Sequence, residues 1–224
     1  MYVGVDEAGK GPVLGPMVTA AVRAEPAILP DDVDDSKRVA PERREAIAAE
    51  LRERDDVAVA IATVEPEAID APDTDMNTLT VRGQARAVRG AIEPGDRVVA
   101  DAGDTSEERF ARRLAAFVRE GVGGDASGRA LDVAARHGAD EDDPVVGAAS
   151  IVAKVARDAR MAEIDADYPT YGGVGSGYPG DSTTRTFLRE YVADHGDVPD
   201  CARRSWSTCT DVLAAAEQSG LDDF

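Results

Sequence analysis

Apolar and polar positions fall in blocks along the chain. Residues 2–6 are an apolar run that breaks at Ala8-Gly9-Lys10-Gly11-Pro12, and a second run, Val13 to Val22, follows at once. Two successive strands joined tightly are predicted. Pro41-Glu42-Arg43-Arg44-Glu45 opens a helix to about Arg54, Val57 to Val64 alternates as a strand, and Asn77 to Ile92 has helical periodicity. The unbroken run Arg97 to Asp101 predicts a short buried strand, and a helix follows from about Glu107 to Glu120. Beyond the Gly-rich, loop-like stretch Gly121 to Gly128, Ala130 to His137 is one more strand. Pro144 to Ile164 predicts a long helix with Pro in its first turn and Asp142 or Asp143 as its cap. Asp181 caps a helix reaching about Asp194, and Ser207 to Gln218 is the last. Strands come first and then alternate with helices, which makes the class α/β with a mixed sheet.

At 224 residues the chain suits one domain with a small appendage. With only four Phe and one Trp, its core must rest on many small Ala and Val contacts. The net charge is −19, and only three of the 25 cations are Lys, at positions 10, 37 and 154. Surplus carboxylates and scarce Lys fit a protein adapted to molar salt, where the Debye length is about 3 Å and self-repulsion is screened. Without that setting, such acidity argues against a polyanionic partner. No run approaches the length of a membrane span. Nor is there a basic segment leading into an apolar one, so a cytoplasmic location is expected. Cys201 and Cys209 match neither a disulfide framework nor a zinc site, and His137 and His195 have no triad or metal spacing.

Candidate chemistry lies in the acids at strand ends. Asp6 and Glu7 close the first apolar run; neighbours on a regular strand face opposite sides, so convergence requires the strand to end or bulge, which Gly9 and Gly11 permit. Asp101 closes the buried run before it, where open α/β sheets tend to place ligands, and Asp140 follows a third strand-like segment. Carboxylates held together repel, and divalent cations supply the missing charge.

The words around these acids narrow the choice. Asp6-Glu7-Ala8-Gly9-Lys10-Gly11-Pro12-Val13 with Gly15-Pro16, Asp35-Ser36-Lys37, Met76-Asn77-Thr78-Leu79 and Ala100-Asp101 closely resemble the ribonuclease HII family, as does Asp140 with the run Pro144 to Asp158. Gly175-Ser176-Gly177-Tyr178-Pro179 and Arg204-Ser205-Trp206 look like its archaeal branch, and the match spans residue 2 to about 208. The resemblance implies an RNase H-like mixed sheet flanked by helices, with a C-terminal helical extension. It divides the chain into a catalytic domain over 1–170, a helical part over 171–217 and a tail over 218–224. It implies an endonuclease that hydrolyses the RNA strand of RNA–DNA hybrids and cuts 5′ of ribonucleotides embedded in duplex DNA, leaving 3′-hydroxyl and 5′-phosphate ends. Asp6, Glu7, Asp101 and Asp140 would be both catalytic and metal-binding, for a pair of Mn²⁺ or Mg²⁺ ions. The Gly121 to Gly128 insert lengthens the path to Asp140 and leaves Asp142 or Asp143 as alternatives. Asp158 would be a cap or a support for the ligands.

Only the 2′-hydroxyl distinguishes RNA from DNA at the cut. By resemblance, Gly9, Lys10 and Gly11 read it with close backbone, and Tyr178 stacks on the neighbouring sugar; the archetypal word has Arg where Lys10 stands. All three lysines fall inside the family words, which suits a compact cation that Arg does not replace. Lys10 and Lys37 would contact phosphate, and Lys154 either phosphate or the acid cluster. A basic strip of Lys37, Arg38, Arg43, Arg203 and Arg204 is expected to help. Gln218, Leu221 and Phe224, at i, i+3 and i+6, resemble a sliding-clamp-binding peptide. A monomer without membrane contact is expected. The competing readings are an RNase H-fold nuclease indifferent to ribose, such as a resolvase core, which Gly9-Lys10-Gly11 with Tyr178 weighs against, and a non-catalytic acidic binder, which retention of all four acids weighs against.

Overall fold

The computed structural model describes residues 1–35, 39–121 and 131–222. In chain order these form strands β1 (Tyr2–Ala8) and β2 (Met17–Ala24), helix α1 (Pro41–Glu53), strand β3 (Ala58–Val64), helices α2 (Pro66–Ile69) and α3 (Met76–Ala91), strand β4 (Val98–Asp101), helix α4 (Glu107–Gly121), strand β5 (Val133–Arg136), and helices α5 (Ala139–Asp142), α6 (Pro144–Asp167), α7 (Ser182–His195) and α8 (Ser207–Asp222). They divide into two compact units: Met1–Ala8, Val18–Thr63 and Asp75–Ala156 in one, and Gly9–Met17, Val64–Thr74 and Arg157–Phe224 in the other.

The first unit is built on a five-stranded sheet in the order β3-β2-β1-β4-β5. β1 runs antiparallel to β2 and parallel to β4, and β4 is parallel to β5, so the expected mixed sheet is present. Strand alternation sorts β1: Val3 and Val5 pack with α3 and α4, while Tyr2 packs with α6 on the opposite face. The first half of α6 is a run of small buried residues, Val145 to Ala153. Gly4 lets that helix lie directly on β1, because a Cβ there would fall on the Val145 carbonyl and come 2.6 Å from the Val146 nitrogen. Gly4→Ala is therefore expected to destabilise the fold by about 1–3 kcal/mol, the range for overpacking, measured by denaturant unfolding in high salt. Asp143 starts α6, accepting from the backbone N–H groups of Val145 and Val146 at 3.0 and 3.2 Å and from the Tyr2 hydroxyl at 2.8 Å.

The second unit has its own core of Val13, Leu14, Phe187, Leu188 and their neighbours on α7 and α8. Its composition explains one correction to the pattern. The second strand starts at Met17, not Val13, because Val13 and Leu14 donate to the Gly177 carbonyl and Leu14 bridges to Ala202. An apolar run alone does not say which core it enters. Asp181 caps α7 as expected, accepting from Thr183 N–H at 2.9 Å. Among the described residues no helix is long and apolar enough to cross a membrane.

Candidate active site

The parallel strands β1, β4 and β5 end on one side of the sheet; Asp6 and Glu7 stand near the end of β1, Asp101 at the end of β4, and Asp140 in α5 just beyond β5. The register Val5 to Ala100 puts Asp6 beside Asp101, both pointing to the α6 face by strand alternation. Asp6 is 5% exposed. Burial, and then the Asp101 charge, push the Asp6 carboxyl above its usual range to about 7. Opposing this, the Ser150 hydroxyl and the Glu7 N–H, at 2.7 Å, bond to the Asp6 carboxylate, and Lys154 favours its charge. Lys154 donates to Ser150 in turn, and the two stand at i and i+4 on one face of α6. Asp101 accepts from the Ala139 N–H at 2.9 Å, which ties the start of α5, and with it buried Asp140, to the end of β4. Of the alternatives to Asp140, Asp142 is exposed and Asp143 is occupied as the α6 cap.

Glu7 follows a different course from the one expected. No bulge turns it toward Asp6: β1 pairs regularly with β2 through Ala8, so Glu7 faces α3. There the Gln84 amide donates to Glu7 Oε2 at 2.7 Å and to the Asp101 carbonyl at 3.1 Å. Both partners are acceptors, which fixes the orientation of the amide. Gln84 is fully buried, and its Oε1 has no hydrogen-bond partner. The signal for it in sequence was a polar residue on the Val81, Val88 and Ala91 face of an amphipathic helix. Among the described residues no three His, Cys, Asp or Glu side chains already form an ion cage. The donor chemistry nevertheless fits a hard divalent cation: all carboxylate, with the repulsion between Asp6 and Asp101 only partly relieved by Lys154 and Ser150.

The loop residues belong to the second unit. Gly9 has φ +84°, and a Cβ there would fall on the Arg157 side chain and lie 2.8 Å from the Pro16 carbonyl, so only glycine fits. A Cβ on Gly11 would meet only the Tyr178 ring, at 3.8 Å. Tyr178 is 45% exposed, with the Arg157 guanidinium 5.4 Å from its ring centre. Lys37 and Arg38 lie outside the described residues, as do Phe224 and the side chain of Leu221; Gln218 is exposed on α8. Of the described members of the expected basic strip, Arg203 is fully buried, Arg43 is paired with Asp32 at 2.7 Å, and Arg204 with Asp197 at 2.7 Å, so none of these three offers an unpaired surface charge. His137 bonds Glu107 and the Asp104 carbonyl, and His195 packs on Tyr191.

A family model described as Ribonuclease HII matches residues 3–209. The chain belongs to the ribonuclease HII family. It is 59% identical over 224 residues to a ribonuclease HII of Haloarcula marismortui, covering 100% of both chains. It is 52% identical over 227 residues to one of Halobacterium salinarum, covering 99% of this chain and 98% of the other. These haloarchaeal relatives agree with the acidic, lysine-poor composition. Among solved structures it is similar to the ribonuclease H2 from Pyrococcus horikoshii OT3, with TM-score 0.83 and 31% identity over 97% of this chain and 99% of that one. It is also similar to a PCNA:RNase HII complex from Archaeoglobus fulgidus, with TM-score 0.76 and 33% identity over 92% and 95%. As a ribonuclease HII it is an endoribonuclease of the RNase H type, acting on RNA–DNA hybrids with an RNase H-like fold. Ribonucleases of this family depend on divalent metal ions.

Proposed function

We propose that the enzyme cuts hybrids, and cuts 5′ of single ribonucleotides embedded in duplex DNA, by two-metal-ion hydrolysis that leaves 3′-hydroxyl and 5′-phosphate ends. Asp6, Asp101 and Asp140 hold the ions, Mn²⁺ or Mg²⁺, and Glu7 is assigned to them across the end of β1, where Gln84 keeps its carboxylate next to the Asp101 backbone. When bound, the ions supply the charge that activates water and stabilises the leaving oxygen. The chain's own part is to keep the carboxylates ionised and aimed. The observation that carries this reading is buried Asp6 beside half-buried Asp101 at two parallel strand ends, with their repulsion only partly relieved. Lys154, tied to Asp6 through Ser150, supports the acids rather than meeting phosphate.

Gly9, Lys10 and Gly11 read the 2′-hydroxyl with backbone groups, and Tyr178 stacks on the adjoining sugar. The open space at Gly11 and the exposed ring beside it support this. Lys10 and Lys37 meet phosphate. With Arg203 buried and Arg43 and Arg204 paired with carboxylates, positioned hydrogen bonds and metal bridges hold the strand at high salt. Catalysis is assigned to residues 1–170 and substrate support to 171–217, in a monomer. A duplex with one ribonucleotide tests the reading. One cut on its 5′ side, only with Mn²⁺ or Mg²⁺, is expected; cleavage of the all-DNA duplex at that site, or cleavage without metal, would contradict it.

The tail is assigned to the sliding clamp through Gln218, Leu221 and Phe224. The similarity to the ribonuclease HII of Archaeoglobus fulgidus, solved with PCNA, supports this. Phe224→Ala is expected to reduce clamp capture about tenfold or more, as loss of an anchoring aromatic does; unchanged capture would dispose of the assignment.

A further inference from the structure

Three successive carbonyls of the glycine loop are held from one side. Arg203 donates from Nη2 to the Gly9 carbonyl at 2.5 Å and from Nη1 to the Lys10 carbonyl at 2.9 Å. Its Nε donates to the Gly15 carbonyl at 3.0 Å, closing the loop's far end, and the Trp206 indole donates to the Gly11 carbonyl at 3.2 Å. The same short stretch is stitched to the loop by its backbone, since Arg203 N–H donates to the Val13 carbonyl at 2.7 Å and Gly15 N–H to the Cys201 carbonyl at 2.8 Å.

Arg203 is 0% exposed, and among the described residues no carboxylate pairs with it. Burial, and then the neighbouring Arg157, lower its guanidinium to about 10, so it remains a cation at neutral pH. Its charge is met by three carbonyl dipoles. A Lys would present one compact ammonium in place of this planar fork, and a neutral residue would leave the carbonyls unbonded.

The consequence follows from peptide geometry. Among the described residues no peptide bond is cis, and in a trans unit the C=O of one residue and the N–H of the next point in opposite directions. With the Gly9 and Lys10 carbonyls turned to Arg203, the N–H groups of Lys10 and Gly11 are turned away from it, as two consecutive donors. Pro12 has no N–H, so the array ends there, and Trp206 fixes that last unit by its carbonyl. Two adjacent backbone donors fixed by their carbonyls form a rigid site for an oxygen ligand.

We infer that Arg203 and Trp206 are positioning residues that set which way the Gly9-Lys10-Gly11 peptide units face, and so set the enzyme's preference for a ribose 2′-hydroxyl. This rests on the reading of the loop given under the proposed function. The chemical class recognised is a ribose hydroxyl with its adjoining phosphate oxygen, and selectivity is a property of the fork behind the loop as well as of the loop.

The test uses the full chain in high salt, with Ca²⁺ to allow binding and Mn²⁺ to allow cleavage. Affinity is measured for a duplex with one ribonucleotide and for its all-DNA counterpart, for wild type, Arg203→Lys, Trp206→Phe and Gly11→Ala. Trp206→Phe keeps the ring and removes one donor, so it carries the test if Arg203→Lys does not fold. The ratio of the two affinities is expected to fall about fivefold or more in Trp206→Phe and further in Arg203→Lys, with all-DNA binding unchanged and KM for the ribonucleotide substrate raised more than kcat is lowered. A purely structural role would lower the folded fraction and leave the ratio intact. If Gly11→Ala collapses the ratio while both positioning variants keep it within twofold, the inference is overturned and the loop reading stands. If Gly11→Ala also keeps it, the loop reading fails and the inference with it.

Discussion

Asp101→Asn is expected to lower cleavage by about 10³-fold or more, roughly 4 kcal/mol of transition-state stabilisation, while making the metal-free protein more stable at pH 8. Both effects come from one carboxylate. Asn keeps the shape and an oxygen to accept from Ala139 N–H, so the end of β4 and the start of α5 remain joined. What disappears is the second negative charge beside Asp6. Asp6 is a buried acid whose carboxyl sits near 7 in the fold and near the ordinary value of about 4 in the unfolded chain. A raised acid favours folding while it is protonated, so that contribution is present at low pH and is lost as the pH rises from about 4 through about 7. Removing Asp101 removes the second-largest cause of the shift, so the variant should lose less stability across that window than the wild type. Thermal melts of both proteins at pH 5 and pH 8 with chelator, in the same molar salt, measure this as a difference and cancel the many other acids. A variant that is inactive and also less stable at pH 8 would mean that Asp101 is a structural ligand of the Ala139 turn and little more.

Transfer from molar salt to dilute buffer is expected to unfold most of the protein. The net charge of −19 is spread over a 224-residue chain, and the core that must oppose its repulsion is made largely of Ala and Val. At about 1 M salt the Debye length is about 3 Å, whereas at about 0.01 M it is about 30 Å, long enough for every surface carboxylate to feel many others. Exposed pairs such as Arg43 with Asp32 and Arg54 with Asp56 neutralise only some of that charge, and pairs of this kind contribute about 0–1 kcal/mol each. Circular dichroism along a KCl dilution series measures the loss, and a companion series with sucrose separates charge screening from general exclusion effects. A native spectrum and full activity at low ionic strength would contradict the high-salt interpretation of the composition.

The elements were legible where periodicity and punctuation agreed. Pro41 at the start of α1, Asp181 as a cap, and Pro144 after Asp143 all mark helix starts that the structure reproduces. The strand ends carrying Asp6 and Asp101 were visible because an apolar run followed by an acid is uncommon in a buried strand. Three features were not visible. Val13 and Leu14 continue an apolar run but enter a different core, which depends on long-range pairing with Gly177 and Ala202. Glu7 faces α3, because the regularity of β1 is decided by its ladder with β2 and not by the glycines that follow. Arg203 stands beside Arg204 in the sequence as if part of a cationic surface, whereas its guanidinium is consumed by three carbonyls inside the fold. Sequence shows charge; it does not show what the charge meets.

The most direct measurement is a calorimetric titration of Mn²⁺ into the substrate-free enzyme in molar KCl, for wild type, Asp6→Asn, Glu7→Gln, Asp101→Asn and Asp140→Asn. Saturable binding in the wild type, weakened tenfold or more in Asp6→Asn and Asp101→Asn and measurably in the other two, is the expected result. Binding of equal strength and stoichiometry in all five proteins would show that these acids do not hold the ion.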